Sequence, residues 1–183
     1  MEERQLIDGC IRGDSRARKT LYELHAPAML SVCQRYVCNS ETARDLMHDG
    51  FVKLFTKIHT YSGSGSFLGW MRRIFVTTAL EHLRRKKKLQ SGMDVKRFET
   101  LSADSDVSLY EHLSADDLLA CVASLPDKYR TVFNMRAIEE YTHTEIAKEL
   151  QTAESTIRSI YARARQMLQK MLMNLESDGY ERK

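Results

Sequence analysis

Breakers of regular structure are scarce in this chain, which has two prolines (Pro27 and Pro126) and eight glycines among 183 residues. With so little to interrupt it and 43% hydrophobic residues, the chain is expected to be mostly helical around an ordinary globular core. Strand-like alternation is missing over more than a few residues. No apolar run reaches membrane-spanning length and no secretory leader is visible, so a cytoplasmic protein with no direct membrane insertion is expected. The four cysteines (Cys10, Cys33, Cys38, Cys121) lack partners at zinc-ligand spacing and read as reduced, small apolar residues. Six scattered histidines form no HExxH pattern, and neither a paired-carboxylate site nor a glycine-rich phosphate loop is visible. No catalytic residue, metal or cofactor is therefore expected.

Charge of one sign is not in large excess either. A net charge of +3 is too modest for a general nucleic-acid coat, but its distribution is uneven. Arg84 to Lys88 reads RRKKK, whereas Glu99 to Asp117 contains acids and no Lys or Arg. The fold class this predicts is all-α: two small helical domains joined by a flexible linker. The boundaries expected are 1–90, a linker over 91–115, 116–176 and a tail over 177–183, with a short helical turn conceivable at Leu109 to Leu113.

Within the first domain, Ala43, Leu46, Met47, Gly50, Phe51, Leu54, Phe55 and Ile58 recur at helical spacing. Tyr61 to Ser66 (YSGSGS) then breaks the helix, and Ser66 can cap the next one. That next helix carries Phe67, Trp70, Met71, Ile74 and Phe75 and runs into the basic stretch. Aromatics beside cations suit single-stranded nucleic acid, although most of these rings recur at core spacing. In the second domain Leu118, Leu119, Val122 and Leu125 share a helix, and Pro126 suits the start of another carrying Tyr129, Val132, Phe133 and Ala137.

THTEIAKELQTAESTIRSIYARARQML (Thr142 to Leu168) has the spacing of a helix-turn-helix, with Ile146, Ala147, Leu150, Ile157 and Ile160 at its buried sites. Ala147 lies where the two helices cross most closely. Thr142 or Thr144 can cap the first helix, with Glu145 in its electropositive first turn. Gln151 stands where such a turn usually carries glycine, and a left-handed residue there costs on the order of 1 kcal/mol. Ser155, Thr156, Arg158, Ser159 and Arg163 point outward as donors for phosphates and bases, with Arg158 the best candidate for a base edge. An ordinary helical hairpin is the competing reading of this segment.

Taken in order, DLMHDGFVKLFTKI (Asp45–Ile58), SFLGWMRRIFVTTALEHLRRKKK (Ser66–Lys88), SLPDKYRTVF (Ser124–Phe133) and the helix-turn-helix resemble regions 2 and 4 of the extracytoplasmic-function sigma factors, small members of the sigma-70 family. The resemblance covers nearly the whole chain. It implies binding to core RNA polymerase through the β′ clamp helices and the β flap, and promoter-specific initiation on DNA that is first double-stranded and then melted. Asp45, His48, Asp49, Phe51 and Phe55 would meet the polymerase. Tyr61, Arg72, Arg73, Thr77, Thr78, Glu81, Arg84 and Arg85 would follow the minus-ten strand. Thr144, Ser155, Thr156, Arg158, Ser159 and Arg163 would read the minus-thirty-five box. A cognate anti-sigma factor is a further implied partner. Three positions depart from the family pattern: His48 for a common Gln, Thr77 for a usual Asn, and Gln151 for the turn glycine. The alternative is a helix-turn-helix regulator that works without polymerase, which would need an effector pocket or a receiver-like acidic site in the first half.

Overall fold

The computed structural model describes residues 3–90 and 115–180, which fall into two compact units, Met1–Asp94 and Val95–Lys183. The expected linker and its conceivable turn at Leu109 to Leu113 lie outside the described residues, apart from Ala115. Among the described residues every regular element is helical.

The first unit contains α1 (Glu3–Ile11), α2 (Ser15–Val37), α3 (Ser40–Lys57), a 3-10 turn over Ile58–Thr60, and α4 (Phe67–Gln90). Side-chain caps set three of the starts. Asp14 accepts from the amides of Arg16 and Ala17, and Asn39 accepts from Thr42 N, each satisfying donors that a helix end leaves bare. Ser66 caps α4 as expected, its Oγ accepting from Gly69 N at 3.2 Å. The helices pack because each presents one apolar stripe: Leu21, Met29, Val32, Cys33 and Tyr36 from α2, Leu46, Phe51 and Leu54 from α3, and Phe67, Met71, Phe75 and Ala79 from α4, all buried. The α3–α4 crossing is very close. A Cβ on Gly50 would lie 2.5 Å from the Phe75 ring, so any other residue forces that ring to shift.

The second unit contains α5 (Ala115–Ser124), α6 (Asp127–Phe133), a π-helical turn (Asn134–Ile138), α7 (His143–Glu149) and α8 (Glu154–Tyr180). One core cluster joins Cys121, Val122 and Leu125 of α5 and its end to Ala164, Leu168 and Leu172 of α8. Pro126 stands at the start of α6, where a missing N–H costs nothing. The corner between α5 and α6 is fixed by Arg130, whose side chain is buried. Its Nη1 donates to Ala123 O and Leu125 O, and its Nη2 pairs with Asp127 at 2.7 Å. Leu118 and Leu119 lie on α5 as expected but are about half exposed, at 43% and 48%, because they precede the part of α5 that α8 covers.

Candidate nucleic-acid interface

The helix-turn-helix is built from its ends inward. Thr142 caps α7: its Oγ1 accepts from Glu145 N, and the Glu145 carboxylate accepts from Thr142 N at 2.8 Å, a reciprocal capping box. At the other end Gln151 adopts φ 51°, the left-handed conformation expected for it. Gln151 N donates to Lys148 O and Thr152 N to Ala147 O, so the last carbonyls of α7 are satisfied by the turn itself. These two bonds hold the strained residue in place. Ile146, Ala147, Ile157 and Ile160 are buried as their spacing predicts. Leu150 is the exception and is only half-buried, because it caps α7 at the margin of the seam rather than inside it.

The outward residues of α8 fall into two groups. Ser155, Thr156, Ser159 and Arg163 line a cleft of about 340 Å³ shared with Lys128 and Tyr129 of α6. Arg158 is exposed and lies in a second group, where its Nε and Nη2 donate to Glu154 Oε1 at 3.0 and 2.6 Å. Thr144 of α7 donates its hydroxyl to the other oxygen of the same carboxylate at 2.9 Å. The Arg158 guanidinium, helped by that hydroxyl, holds the Glu154 carboxyl below the usual carboxylate range. Thr144 was expected to face DNA. It is exposed, and its hydroxyl is engaged by a protein carboxylate. Sequence reading missed Lys128, Tyr129 and Glu154, although Glu154 stands four residues before Arg158, the spacing at which helical ion pairs form.

In the first unit, the candidate polymerase-facing residues separate by helix face. Asp45, His48 and Asp49 are exposed on α3 and Phe55 is half-buried, with Arg18 of α2 lying 5.6 Å over its ring. Val52, at 67% exposure, continues the same row and was not singled out, though an apolar residue four places after His48 signals it. Phe51 is corrected: it is 3% exposed and packs against Tyr22 and Phe75, with ring centroids 4.6 and 5.0 Å apart. Being one place along from Gly50, it belongs to the core stripe.

On α4, Arg73 is exposed, while Arg72, Thr77 and Glu81 are half-buried; Arg84 and Arg85 are exposed further along. Thr78 is corrected in the same way as Phe51, since it is 1% exposed and its hydroxyl bonds Ile74 O at 2.9 Å. Glu81 pairs with Lys53 of α3 at 2.6 Å, so its carboxylate is neutralised within the unit. Before the helix, Tyr61 donates its hydroxyl to Gly65 O at 2.7 Å and packs on Phe67 and Trp70, 5.2 and 5.4 Å away. Gly63 and Gly65 take positive φ with open space around them, which leaves the loop's outer side unobstructed. The loop and the row Arg73, Thr77, Arg84 and Arg85 thus offer an aromatic platform followed by cations, an arrangement suited to unpaired bases and their backbone.

Residues 21–89 match the model for sigma-70 region 2, and residues 115–168 match that for sigma-70 region 4. The chain is 28% identical to the RNA polymerase sigma-H factor of Pseudomonas aeruginosa, with 95% of each chain covered. It is 24% identical to the extracytoplasmic-function RNA polymerase sigma factor SigW of Bacillus subtilis, over 90% of this chain and 93% of that one. Among solved structures, the fold resembles the sigma factor RpoE from Bartonella quintana, solved with the anti-sigma factor NepR, at a TM-score of 0.55 and 20% identity over 85% of this chain and 96% of that one. It also resembles CnrH, solved with the cytosolic domain of CnrY, at 0.52 and 18% identity over 94% and 97%.

Proposed function

The chain belongs to the sigma-70 family as an RNA polymerase sigma factor of the extracytoplasmic-function type, and on that premise we propose how its two units divide the work of promoter-specific initiation. The exposed α3 row of Asp45, His48, Asp49 and Val52, with Phe55 beside it, docks on the β′ clamp helices. The Tyr61 loop and the α4 row of Arg73, Thr77, Arg84 and Arg85, with Arg72, follow the melted minus-ten strand. Ser155, Thr156, Arg158, Ser159 and Arg163 read the double-stranded minus-thirty-five box, and the second unit meets the β flap. The observation that carries this reading is the segregation on α8, where donors face outward while Ile157 and Ile160 close the core. A cognate anti-sigma factor is proposed because two proteins of similar fold were solved with such partners or with a partner's cytosolic domain.

Energetics requires the polymerase. Opening about a dozen base-pair steps costs on the order of 15 kcal/mol at roughly 1.4 per step. Stacking captured bases returns only about 1–3 kcal/mol each. The chain alone does not hold a bubble open, so it acts as a dissociable specificity subunit and leaves nucleotide chemistry to the polymerase. No described helix is long and apolar enough to cross a membrane, and the work belongs where polymerase and DNA are, in the cytoplasm.

The roles separate by mutation. Arg158→Ala should lower discrimination at one minus-thirty-five position by about 1–3 kcal/mol, the value of a bidentate guanine contact, with core binding unchanged. Asp49→Ala should weaken core binding at least about fivefold, about 1 kcal/mol, a cost that only a minority of interface residues exceed, with promoter preference unchanged. Core affinity by fluorescence titration and promoter preference on a randomised library check both. An exchange of these two phenotypes overturns the assignment.

A further inference from the structure

The Glu154 carboxylate sits between the two helices of the reading module and touches both. Its Oε2 accepts from Thr144 on α7 and its Oε1 takes the side edge of the Arg158 guanidinium. Arginine carries five N–H donors in a rigid fork. Glu154 occupies one on Nε and one on Nη2. The remaining terminal edge, with one N–H from Nη1 and one from Nη2, is free to point away from the carboxylate. Two parallel donors of that kind match the O6 and N7 acceptors of guanine.

Left alone, a long arginine on an exposed helix face can swing to the nearest phosphate, a contact that carries no sequence information. A carboxylate that grips the side edge opposes this twice. It fixes the side chain in one orientation, and its negative charge makes phosphate a poorer neighbour. From this geometry we infer that Glu154 is a positioning residue for specificity: held by Thr144, it presents the terminal edge of Arg158 to a guanine in the minus-thirty-five box. The inference rests on the proposed role of Arg158 in reading that box. Glu154 touches no base in this account. It acts through Arg158, so affinity and selectivity respond to it in opposite directions. Removing its charge favours DNA as a polyanion while releasing Arg158 to contact phosphate indiscriminately.

The test uses the full chain assembled with core polymerase on a promoter library randomised across the minus-thirty-five box, with run-off product read for every sequence. Glu154→Gln, the near-isosteric neutral variant, and Glu154→Ala should each lose at least threefold of the guanine preference at the position that Arg158→Ala flattens. Both should bind non-cognate duplex as tightly as the unmodified chain or more tightly. Glu154→Asp should restore part of the preference, and Thr144→Val should lower it by a smaller factor. The double variant Glu154→Gln with Arg158→Ala should be no less selective than Arg158→Ala alone. If Glu154→Gln keeps the full preference, or loses it evenly at every position together with duplex affinity, the inference fails. If Arg158→Ala itself leaves the box preference intact, the recognition-helix reading fails instead, and the two failures are told apart by that variant.

Discussion

Two turns in this molecule share one hydrogen-bond pattern and differ in the residue that makes them. After α1, Gly13 N donates to Cys10 O and Asp14 N to Gly9 O, with Gly13 at φ 82°. After α7, Gln151 N donates to Lys148 O and Thr152 N to Ala147 O, with Gln151 at φ 51°. The contrast extends in large part to the units that contain them. The first unit uses glycine for left-handed turns at Gly13, Gly63 and Gly65 and for a close helix crossing at Gly50, and a non-glycine residue, Cys38 at φ 51°, only where α2 ends. The second has no glycine from Ala115 to Leu175, and its left-handed positions fall to Glu140 and Gln151. The bond pattern, not the glycine, specifies this kind of turn; glycine relieves its strain. Where a glycine answers a steric demand for space, as Gly50 does beneath Phe75, no bond pattern compensates and the neighbouring ring must move.

The largest effects should come from breaking the tight packing of the first unit. Phe51→Ala should cost about 3–5 kcal/mol of stability, as for other buried aromatic truncations. Gly50→Ala should cost about 1–3 kcal/mol, because the Phe75 ring must move. The single tryptophan, Trp70, lies in this unit, so its fluorescence melt follows the first unit alone. A Phe51→Ala variant that melted normally but bound polymerase poorly would return Phe51 to the docking surface.

The turn comparison is sharpened by reciprocal changes. Gly13→Ala should destabilise the first unit and Gln151→Gly should stabilise the second, each by about 1 kcal/mol, as left-handed strain is imposed or removed. Circular dichroism melts of the two variants measure this. Equal and negligible shifts would mean that the bonds alone decide both turns. The smallest effect concerns thiols. Burial pushes the Cys33 thiol up to about 12, so at neutral pH it stays protonated and covered. A thiol reagent should label exposed Cys38 first and leave Cys33 and Cys10 protected until unfolding, as mass spectrometry of the labelled peptides would record.

The helices and their buried faces were legible in the sequence because a 3.6-residue period is a direct consequence of burying one side. Ile146, Ala147, Ile157 and Ile160, and the left-handed state of Gln151, followed from spacing alone. The candidate site was legible as a set of positions and less so as a set of surfaces. Family likeness points to a helix, yet Phe51 and Phe55, or Thr77 and Thr78, differ only in which side of that helix they occupy. Neighbouring helices decide this, and Phe75 claims Phe51 while α4 turns Thr78 inward. The Glu154 pair was visible as a spacing, but the Thr144 hydroxyl that completes it comes from another helix and is a product of the fold.

The central claim, a two-point promoter grip that works only on the polymerase, is tested most directly by run-off transcription. Purified sigma-free core polymerase would be incubated with a promoter library, with and without this chain. The account predicts initiation at a defined subset of promoters that depends on the added chain, and weak duplex binding by the chain alone. Tight operator binding without polymerase, with no stimulation of initiation, would contradict it.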